Sequence, residues 1–335
     1  MTFRRDVRDL LLPEMREALA VSERLYAEAG PLPDDPVAAA RLAYDHERRF
    51  WNAASAPVEE VRDLALGTAL GPVRTRLYRP TRTEAAGLVV YLHGGGYVLG
   101  NLGTHDRIMR LLALKSGCPV LGIDYALSPE HRFPVALDQI AAVLDSLARG
   151  ALGPGPGRGA IVLAGDSAGA HLALGTAIGT RDRRIRGLVL YYAAVGLRDS
   201  ASRRLLGGEI DGLSPAQLAF YRDAYLSCDA DERDPRYDCL AADLRGLPPC
   251  LIGAVELDPL RDDSLALAEA LKVAGVPHRL RRYEGVLHGF LHYSRMLPLA
   301  EDALAEGGRF IRDCLAPARP GPDLTGAPPG RGGTG

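Results

Sequence analysis

The stretch that decides the fold is AIVLAGDSAGAHLAL, residues 160–174. A short apolar run ends in a serine with glycines two residues away on each side, and a second apolar run with helical character follows. Glycines at these positions let the backbone pass closely through a sharp strand-to-helix turn and lift the serine hydroxyl clear of the sheet. The pattern predicts Ser167 as an exposed nucleophile. A plain turn of small residues fits the same pentapeptide, so the rest of the chain must decide between them.

Short apolar runs alternate with helical patterns over most of the chain. We predict strands at 73–79, 88–92, 120–124, 160–164, 187–191, 251–256 and 278–283, and helices at 104–116, 135–149, 168–180, 262–274 and 295–315. Near-continuous apolar strands separated by helices are typical of a mostly parallel sheet covered on both faces. The predicted class is therefore α/β.

Three segments depart from this alternation. A helical pair precedes it, a segment without a strand signal interrupts it, and a tail rich in proline and glycine ends it. The middle segment contains a predicted helix from its N-cap Ser214 to Leu226. We predict N-terminal cap helices at 1–50, a core at 51–196 and 250–316, a cap insertion at 197–249 and a disordered tail at 317–335.

Composition and charge exclude several functions. The chain has 335 residues, 47% of them apolar, and a formal charge of −2, which gives no global field for nucleic acid or anionic lipid. Five scattered cysteines form no C-x-x-C pair and have no histidine at zinc-finger spacing, so we expect free thiols, no metal and no cofactor. No run approaches a signal sequence or a membrane span, which predicts a soluble cytoplasmic protein without a membrane partner.

A glycine-rich loop, His93-Gly94-Gly95-Gly96-Tyr97, follows the predicted strand 88–92. Three consecutive glycines are costly in conformational entropy, so we expect backbone N–H groups there that approach another group closely. Such a loop can donate to a developing oxyanion together with the N–H of the residue after the nucleophile, Ala168. A flexible linker is the competing interpretation, and no phosphate-binding glycine pattern is present.

Asp258 is the predicted acid, because it follows the strand 251–256 and precedes Pro259 at the sheet edge that carries Ser167. Glu256 competes, since strand alternation sends it to the same side. Asp262 and Asp263 also compete, but they stand where a helix begins and acidic residues complement the helix dipole.

His288 is the predicted base, because it lies in a glycine-flanked loop after the last strand. His292 is its rival, although it is expected to start a helix as a surface histidine. His93 belongs to the glycine loop, and His171 is expected to be a hydrogen-bonded core histidine behind the turn.

Several motifs together carry a resemblance to a known family. Near the site these are the glycine loop, DYALSPE at 124–130, GDSAG at 165–169, Asp258-Pro259-Leu260 and His288-Gly289-Phe290; elsewhere they are 100–110, 203–208 and 292–296. The chain resembles the hormone-sensitive-lipase-like branch of the α/β-hydrolases over roughly residues 5–315, and its pattern is most similar to that of the bacterial acetyl esterases. The order serine, aspartate, histidine is also that of α/β-hydrolases.

The resemblance implies a fold, a reaction and a set of roles. It implies an α/β-hydrolase fold with a helical cap, and hydrolysis of short-chain esters, with acetyl preferred, through a Ser167-His288-Asp258 triad. Gly94, Gly95 and Ala168 would be the oxyanion donors, and Asp124 and Glu130 scaffold residues. Open alternatives are an amidase with the same triad and a non-catalytic or dual-role scaffold. A homodimer or a regulatory protein partner is not readable from the sequence.

Overall fold

Eight strands form one sheet in a computed structural model that describes residues 7–83, 86–153, 156–206, 210 and 213–316. The strands are β1 (Glu60–Thr68), β2 (Gly71–Arg79), β3 (Leu88–Leu92), β4 (Val120–Ile123), β5 (Ile161–Asp166), β6 (Ile185–Tyr191), β7 (Cys250–Val255) and β8 (His278–Tyr283). Their order is β1-β2-β4-β3-β5-β6-β7-β8. β1 and β2 run antiparallel to their neighbours, and all other pairs are parallel.

Helices cover this sheet. They are α1 (Pro13–Ala27), α2 (Pro36–Asn52), α3 (Asp106–Ser116), α4 (Val135–Ala148), α5 (Ala168–Thr180), α6 (Ala201–Leu206), α7 (Pro215–Tyr225), α8 (Arg261–Val273) and α9 (Pro298–Leu315), with short 3-10 turns at Arg8–Leu10, Asp231–Arg233 and Phe290–Tyr293. Among the described residues, no helix is long and apolar enough to span a membrane.

The central strands are buried on both faces, which explains their continuous apolar sequences. Every residue of β3, β4, β5 and β7 is buried. Alternation along β3 sends Val90 into one apolar cluster, which also contains Leu174 of α5, and Val89 into a second cluster, which contains Ile311 of α9. The predicted α/β fold with a mostly parallel sheet is confirmed.

The prediction missed β1 and α6. In β1 only Leu66 is buried, because the strand lies at the sheet edge and most of its side chains face solvent. Without an apolar run, an edge strand leaves a weak signal. The short helix α6 lies inside the predicted insertion, which also contains α7; the predicted N-cap Ser214 accepts a hydrogen bond from the backbone of Gln217. The predicted disordered tail lies outside the described residues.

Parallel pairing places the loops with the predicted site residues at one end of the sheet, where the strands have their carboxyl ends. β3, β5 and β7 point in the same direction, so the glycine loop, Ser167 and Asp258 all follow carboxyl ends of strands. The loop after β8 carries His288 to the same edge. Ligands of open α/β sheets bind at this edge.

Candidate active site

Ser167 sits at a strained turn between β5 and α5. Its backbone has φ 52° and ψ −124°, a conformation that costs free energy for a residue with a side chain. The flanking glycines permit it: a Cβ on Gly169 would lie 2.0 Å from the carbonyl oxygen of Leu92, and one on Gly165 would lie 2.7 Å from the same atom. The predicted sharp turn at Ser167, the serine elbow, therefore follows from tight backbone packing against β3. Its result is a serine side chain that does not cap its own helix.

Ser167, His288 and Asp258 form a continuous hydrogen-bonded chain. The distance from Ser167 Oγ to His288 Nε2 is 2.8 Å, and that from His288 Nδ1 to Asp258 Oδ2 is 2.7 Å. Asp258 is fully buried, and its second oxygen accepts a 2.7 Å hydrogen bond from the backbone N–H of Leu260. With the Nδ1 proton donated to the carboxylate, Nε2 is free to accept the serine proton. This chain joins Ser167 to Asp258, which lies 91 positions later in the sequence, and to His288, which lies 121 positions later.

The competing acids have other partners. Glu256 pairs with Arg261, its Oε1 lying 3.2 Å from Nη1. Asp262 accepts the backbone N–H of Ser202 at 2.8 Å, while Asp263 pairs with Arg203 at 2.9 Å. Burial raises the pKa of Asp263 to about 6. These carboxylates stabilise the start of α8 and its contact with α6, so Asp258 is the one that reaches the imidazole.

Two of the three other histidines considered, His171 and His292, lie in the interior. His171 bonds the hydroxyl of Tyr97 through Nδ1 at 3.0 Å and the carbonyl of Tyr237 through Nε2 at 2.9 Å, as a core histidine should. His292 is only 4% exposed and lies in the 3-10 turn Phe290–Tyr293. The expectation of a surface histidine at a helix start was wrong, because the turn packs beneath α1 and α2. Burial lowers the pKa of His292 well below its ordinary value, and nearby Arg48 lowers it further.

Gly94, predicted as an oxyanion donor, has a backbone N–H that is already bonded inside the protein. Its N–H donates to the buried carboxylate of Asp166 at 3.0 Å and lies 3.2 Å from His105 Nε2. By contrast, the N–H groups of Gly95, Gly96 and Ala168 have no acceptor within the described ranges. These three residues line the cavity that contains Ser167. Sequence alone does not show which N–H of three consecutive glycines is already bonded.

His93 anchors the glycine loop. Its ring stacks on Tyr125 with centroids 4.3 Å apart, and its Nδ1 lies 2.9 Å from the carbonyl of Gly94. The hydroxyl of Tyr125 donates to the carbonyl of His93 at 2.6 Å. Farther out, Glu130 accepts two hydrogen bonds from Arg41 of α2, at 2.6 and 2.8 Å. These contacts hold the loop and the 124–130 segment against the N-terminal helices.

Asp166 was missed by sequence reasoning. It is 2% exposed and accepts hydrogen bonds from Tyr91 and Gly94. A charged residue that ends an otherwise apolar strand, directly before the nucleophile, was the available signal. The ligand atoms of Asp166, His105 and His292 lie within 4.8 Å of one another, a spacing compatible with a metal. Their atoms already meet Tyr91, Gly94, Thr104 and Tyr44, which identifies them as an internal hydrogen-bonded cluster.

One large cavity opens onto Ser167. Its volume is about 1240 Å³, and residues of α1, α2 and α7 line it together with the loops that carry Ser167 and His288. Helix α7 closes directly on the glycine loop, since a Cβ on Gly96 would lie 2.3 Å from the ring of Tyr221. Both predicted cap segments therefore contribute walls to the cavity.

Similarities to known proteins agree with this arrangement. The family profile described as "alpha/beta hydrolase fold" matches residues 89–292. An acetyl esterase of Salmonella typhi is 48% identical over 284 residues, covering 83% of this chain and 87% of that protein. The acetyl esterase of Salmonella choleraesuis (strain SC-B67) gives the same identity and coverage.

Solved structures give the same result. A hyperthermophilic esterase from Pyrobaculum calidifontis superposes with a TM-score of 0.83 and 35% identity, over 91% of this chain and 98% of that one. A thermostable carboxylesterase cloned from a metagenomic library superposes with a TM-score of 0.80 and 32% identity, over 84% of this chain and 99% of that one. The strand order, the serine elbow and these relatives together assign the chain to the α/β-hydrolase fold family.

Proposed function

We propose that the protein is a serine carboxylesterase that hydrolyses esters of short acyl groups, with acetyl preferred. The observation that carries this proposal is the hydrogen-bonded chain from Ser167 through His288 to buried Asp258, which opens onto a large cavity. The carboxylesterase reaction and the acetyl preference are supported by the names of the relatives. The reaction needs no metal or cofactor, because serine, imidazole and carboxylate suffice for acyl transfer.

Each triad residue has one proposed role. His288 Nε2 removes the proton of Ser167 as its oxygen attacks the ester carbonyl, and a covalent acyl-enzyme forms when the alcohol leaves. His288 delivers the proton to the leaving oxygen and then activates water for deacylation. Asp258 holds the imidazole in the tautomer with hydrogen on Nδ1 and stabilises the imidazolium.

The proposed oxyanion donors are the N–H groups of Gly95, Gly96 and Ala168. They line the cavity beside Ser167 and lack internal acceptors among the described residues. Preorganised donors of this kind stabilise the negative oxygen of the tetrahedral intermediate because they need no reorientation during the reaction. Gly94 has a different proposed role, since its bond to Asp166 fixes the loop that presents the other two glycines.

Residues 1–50 and 197–249 are proposed to form the cap over a core made of 51–196 and 250–316. The support is that α1, α2 and α7 line the cavity above Ser167. We further propose a cytoplasmic location, which suits five free cysteines because thiols persist in a reducing compartment. Cell fractionation with an antibody against the chain tests that location.

Labelling with a fluorophosphonate followed by peptide mapping tests the nucleophile. Phosphonylation of Ser167 is expected, and labelling of another serine would overturn the assignment. A protein that folds but neither reacts with the probe nor hydrolyses p-nitrophenyl acetate would be a non-catalytic scaffold. Comparison of an ester with its matching amide separates the esterase from an amidase.

The base is tested by His288→Ala and His292→Ala side by side. Only the first should lose activity by about a million-fold, as expected when the base of a triad is removed. Equal losses in two folded variants would contradict the assignment. The acyl preference is tested by rates on p-nitrophenyl acetate, butyrate, hexanoate and octanoate, and a maximum at octanoate would refute the acetyl preference.

A further inference from the structure

The guanidinium of Arg48 forms part of the cavity wall, although only 10% of its side chain is exposed. Its Nη1 lies 3.1 Å from Glu47 Oε2, and its Nε–H has no acceptor within the described ranges. A buried donor without an acceptor carries a desolvation cost. The hydrogen bonds that join Ser167, His288 and Asp258 do not involve Arg48, so the catalytic steps proposed above do not explain why it is there.

The surroundings of Arg48 hold it in one position. Its guanidinium carbon lies 4.5 Å from the ring centroid of Tyr44 and 5.8 Å from that of Tyr293, at cation–π distance. Its partner Glu47 is fully buried and accepts 2.6 Å hydrogen bonds from Ser22 and from the indole of Trp51. The donor is therefore preorganised, which is what a recognition site requires.

The charge at this wall favours an uncharged ligand. Burial alone would lower the pKa of Arg48, but Glu47 raises it well above its usual value, so the two form a neutral ion pair. His292 stays uncharged beside them because burial lowers its pKa. An anion at Arg48 would meet a positive charge that Glu47 already neutralises, and the buried carboxylate of Asp166 lines the same cavity, whereas a hydroxyl or ether oxygen needs only a donor.

Several side chains that line the cavity together with Arg48 carry hydroxyl groups. Ser22, Tyr26, Tyr44 and Tyr293 line the cavity with Arg48. Burial raises the pKa of Tyr44 and that of Tyr293, so both phenols remain protonated and can donate or accept hydrogen bonds. The cavity volume of about 1240 Å³ exceeds the range of about 300–1,000 Å³ that holds drug-sized ligands. A short acyl group leaves most of that space to the alcohol.

We propose that Arg48 and these four hydroxyl-bearing side chains, here termed the arginine subsite, recognise the hydroxyl or ether oxygens of an uncharged, carbohydrate-like alcohol. This inference rests on the proposed esterase function, because it concerns the leaving group of that reaction. The guanidinium of Arg48 donates to one oxygen of the alcohol, while the tyrosines exchange hydrogen bonds with its neighbours. The alcohol is thereby placed with its acyl ester toward Ser167.

Three acetate esters of similar size test the proposal. They are methyl 6-O-acetyl-glucopyranoside, cyclohexylmethyl acetate and 4-(acetoxymethyl)cyclohexanecarboxylate, which present a polyol, a hydrocarbon and an anion at the same distance from the ester. We expect kcat/KM for the sugar acetate to exceed that for each of the other two by at least about tenfold, as one well-placed hydrogen bond allows.

Arg48→Lys separates the subsite from the fold, since lysine keeps the charge beside Glu47 but lacks the guanidinium N–H groups. The variant should lower kcat/KM for the sugar acetate about tenfold and leave that for cyclohexylmethyl acetate within about twofold. Arg110→Lys is the matched control: Arg110 also pairs with a carboxylate, Asp106, and lies over an aromatic ring, Tyr78, but it is on α3. The control should retain the full preference.

Each other outcome has a defined meaning. Equal rates on the sugar and the cyclohexyl ester, or an equal loss on all esters in Arg48→Lys, would overturn the subsite. Preference for the anionic ester would overturn its neutral character. A preference that follows a hydroxyl on the acyl group, in p-nitrophenyl 3-hydroxybutyrate against butyrate, would overturn its assignment to the alcohol. Failure to hydrolyse p-nitrophenyl acetate at all would instead refute the proposed function.

Discussion

Two sets of hydroxyl, imidazole and carboxylate lie close together in this molecule. One consists of Ser167, His288 and Asp258; the other consists of Thr104, His105 and Asp166, with Thr104 Oγ1 2.8 Å from His105 Nδ1 and His105 Nε2 3.4 Å from Asp166 Oδ1. Their composition is nearly the same, but their surroundings differ. Ser167 is partly exposed and faces the cavity, whereas Thr104 is 3% exposed.

The hydroxyl groups of Thr104 and Ser167 also differ in their hydrogen-bond partners. Thr104 donates to the carbonyl of Asn101 at 2.8 Å and accepts the N–H of the same residue at 2.9 Å. The hydroxyl of Ser167 is bonded to His288 alone among the described side chains, and Ser167 lines the same cavity as Gly95 and Gly96. The comparison teaches that a nucleophile needs access and an oxyanion site, and that the three side chains alone can equally well hold a loop together.

Ser167→Ala against Thr104→Val is the strongest way to break this comparison. The first change should lower turnover of p-nitrophenyl acetate by about a million-fold without unfolding the protein. The second should lower thermal stability, since it removes the three hydrogen bonds of the Thr104 hydroxyl, and should leave turnover within about tenfold. Circular dichroism melts accompany both assays. Near-normal hydrolysis by folded Ser167→Ala, or a loss as large in folded Thr104→Val, would remove the distinction.

Asp258→Asn should have the next largest effect. The amide oxygen would accept the N–H of Leu260 and the amide NH2 would face His288 Nδ1, so the imidazole loses its productive tautomer and kcat falls about 10⁴-fold. Glu256→Gln is the matched control, because Glu256 pairs with Arg261 at the surface and should change kcat by less than about threefold. If Glu256→Gln were the more damaging change, the acid would have to be reassigned.

Gly95→Ala tests the proposed role of the glycine loop in binding the oxyanion. Gly95 has φ +120°, and a Cβ there would lie 2.2 Å from the carbonyl oxygen of Leu99, so the loop must move. We expect kcat to fall about 100- to 1,000-fold, the loss typical of one missing oxyanion donor. Gly159→Ala is the control, since nothing lies within 4 Å of its added Cβ. Unchanged kcat in Gly95→Ala would exclude this loop from catalysis.

The smallest expected effect concerns pH and the interior histidines. Burial lowers the pKa of His171 to about 4, and burial with the neighbouring His105 lowers that of His93 to about 3. In the unfolded chain both histidines have a pKa of about 6.5. Below that pH the unfolded state binds protons that the folded state does not, so the free energy of unfolding should fall from about pH 6.5 to pH 4.

Asp263 acts in the opposite direction. Burial raises its pKa to about 6, so its protonation favours the folded state as the pH falls through 6. The stabilisation that this one carboxyl group gives at low pH is smaller than the destabilisation from His171 and His93, because the pKa values of the two histidines are displaced further. The lowered pKa of His292 adds to that destabilisation. Urea midpoints at pH 7, 6 and 5 measure the balance. A midpoint that rises towards pH 5 would show that these histidines are not held neutral.

Much of the site was predictable because its signals are local. Ser167 and the glycine loop each stand at the end of an apolar strand, and close backbone approach requires glycine in both places. Asp258 and His288 also follow strands, and parallel pairing sends those ends to one edge. Each of these predictions needed only a few neighbouring residues and the direction of a strand.

Other features depended on contacts between distant segments. The sequence could not show that Gly94 already bonds Asp166, that His292 is buried beneath α1 and α2, or that Arg48 faces the cavity, because hydrogen-bond partners and burial are properties of the packed chain. The sequence of 335 residues determined the α/β fold and the candidate triad through strand periodicity and glycine geometry. Only tertiary packing decided which N–H groups stay free, which histidine can accept a proton and which arginine meets the ligand space, since each depends on atoms that the chain brings together from far apart.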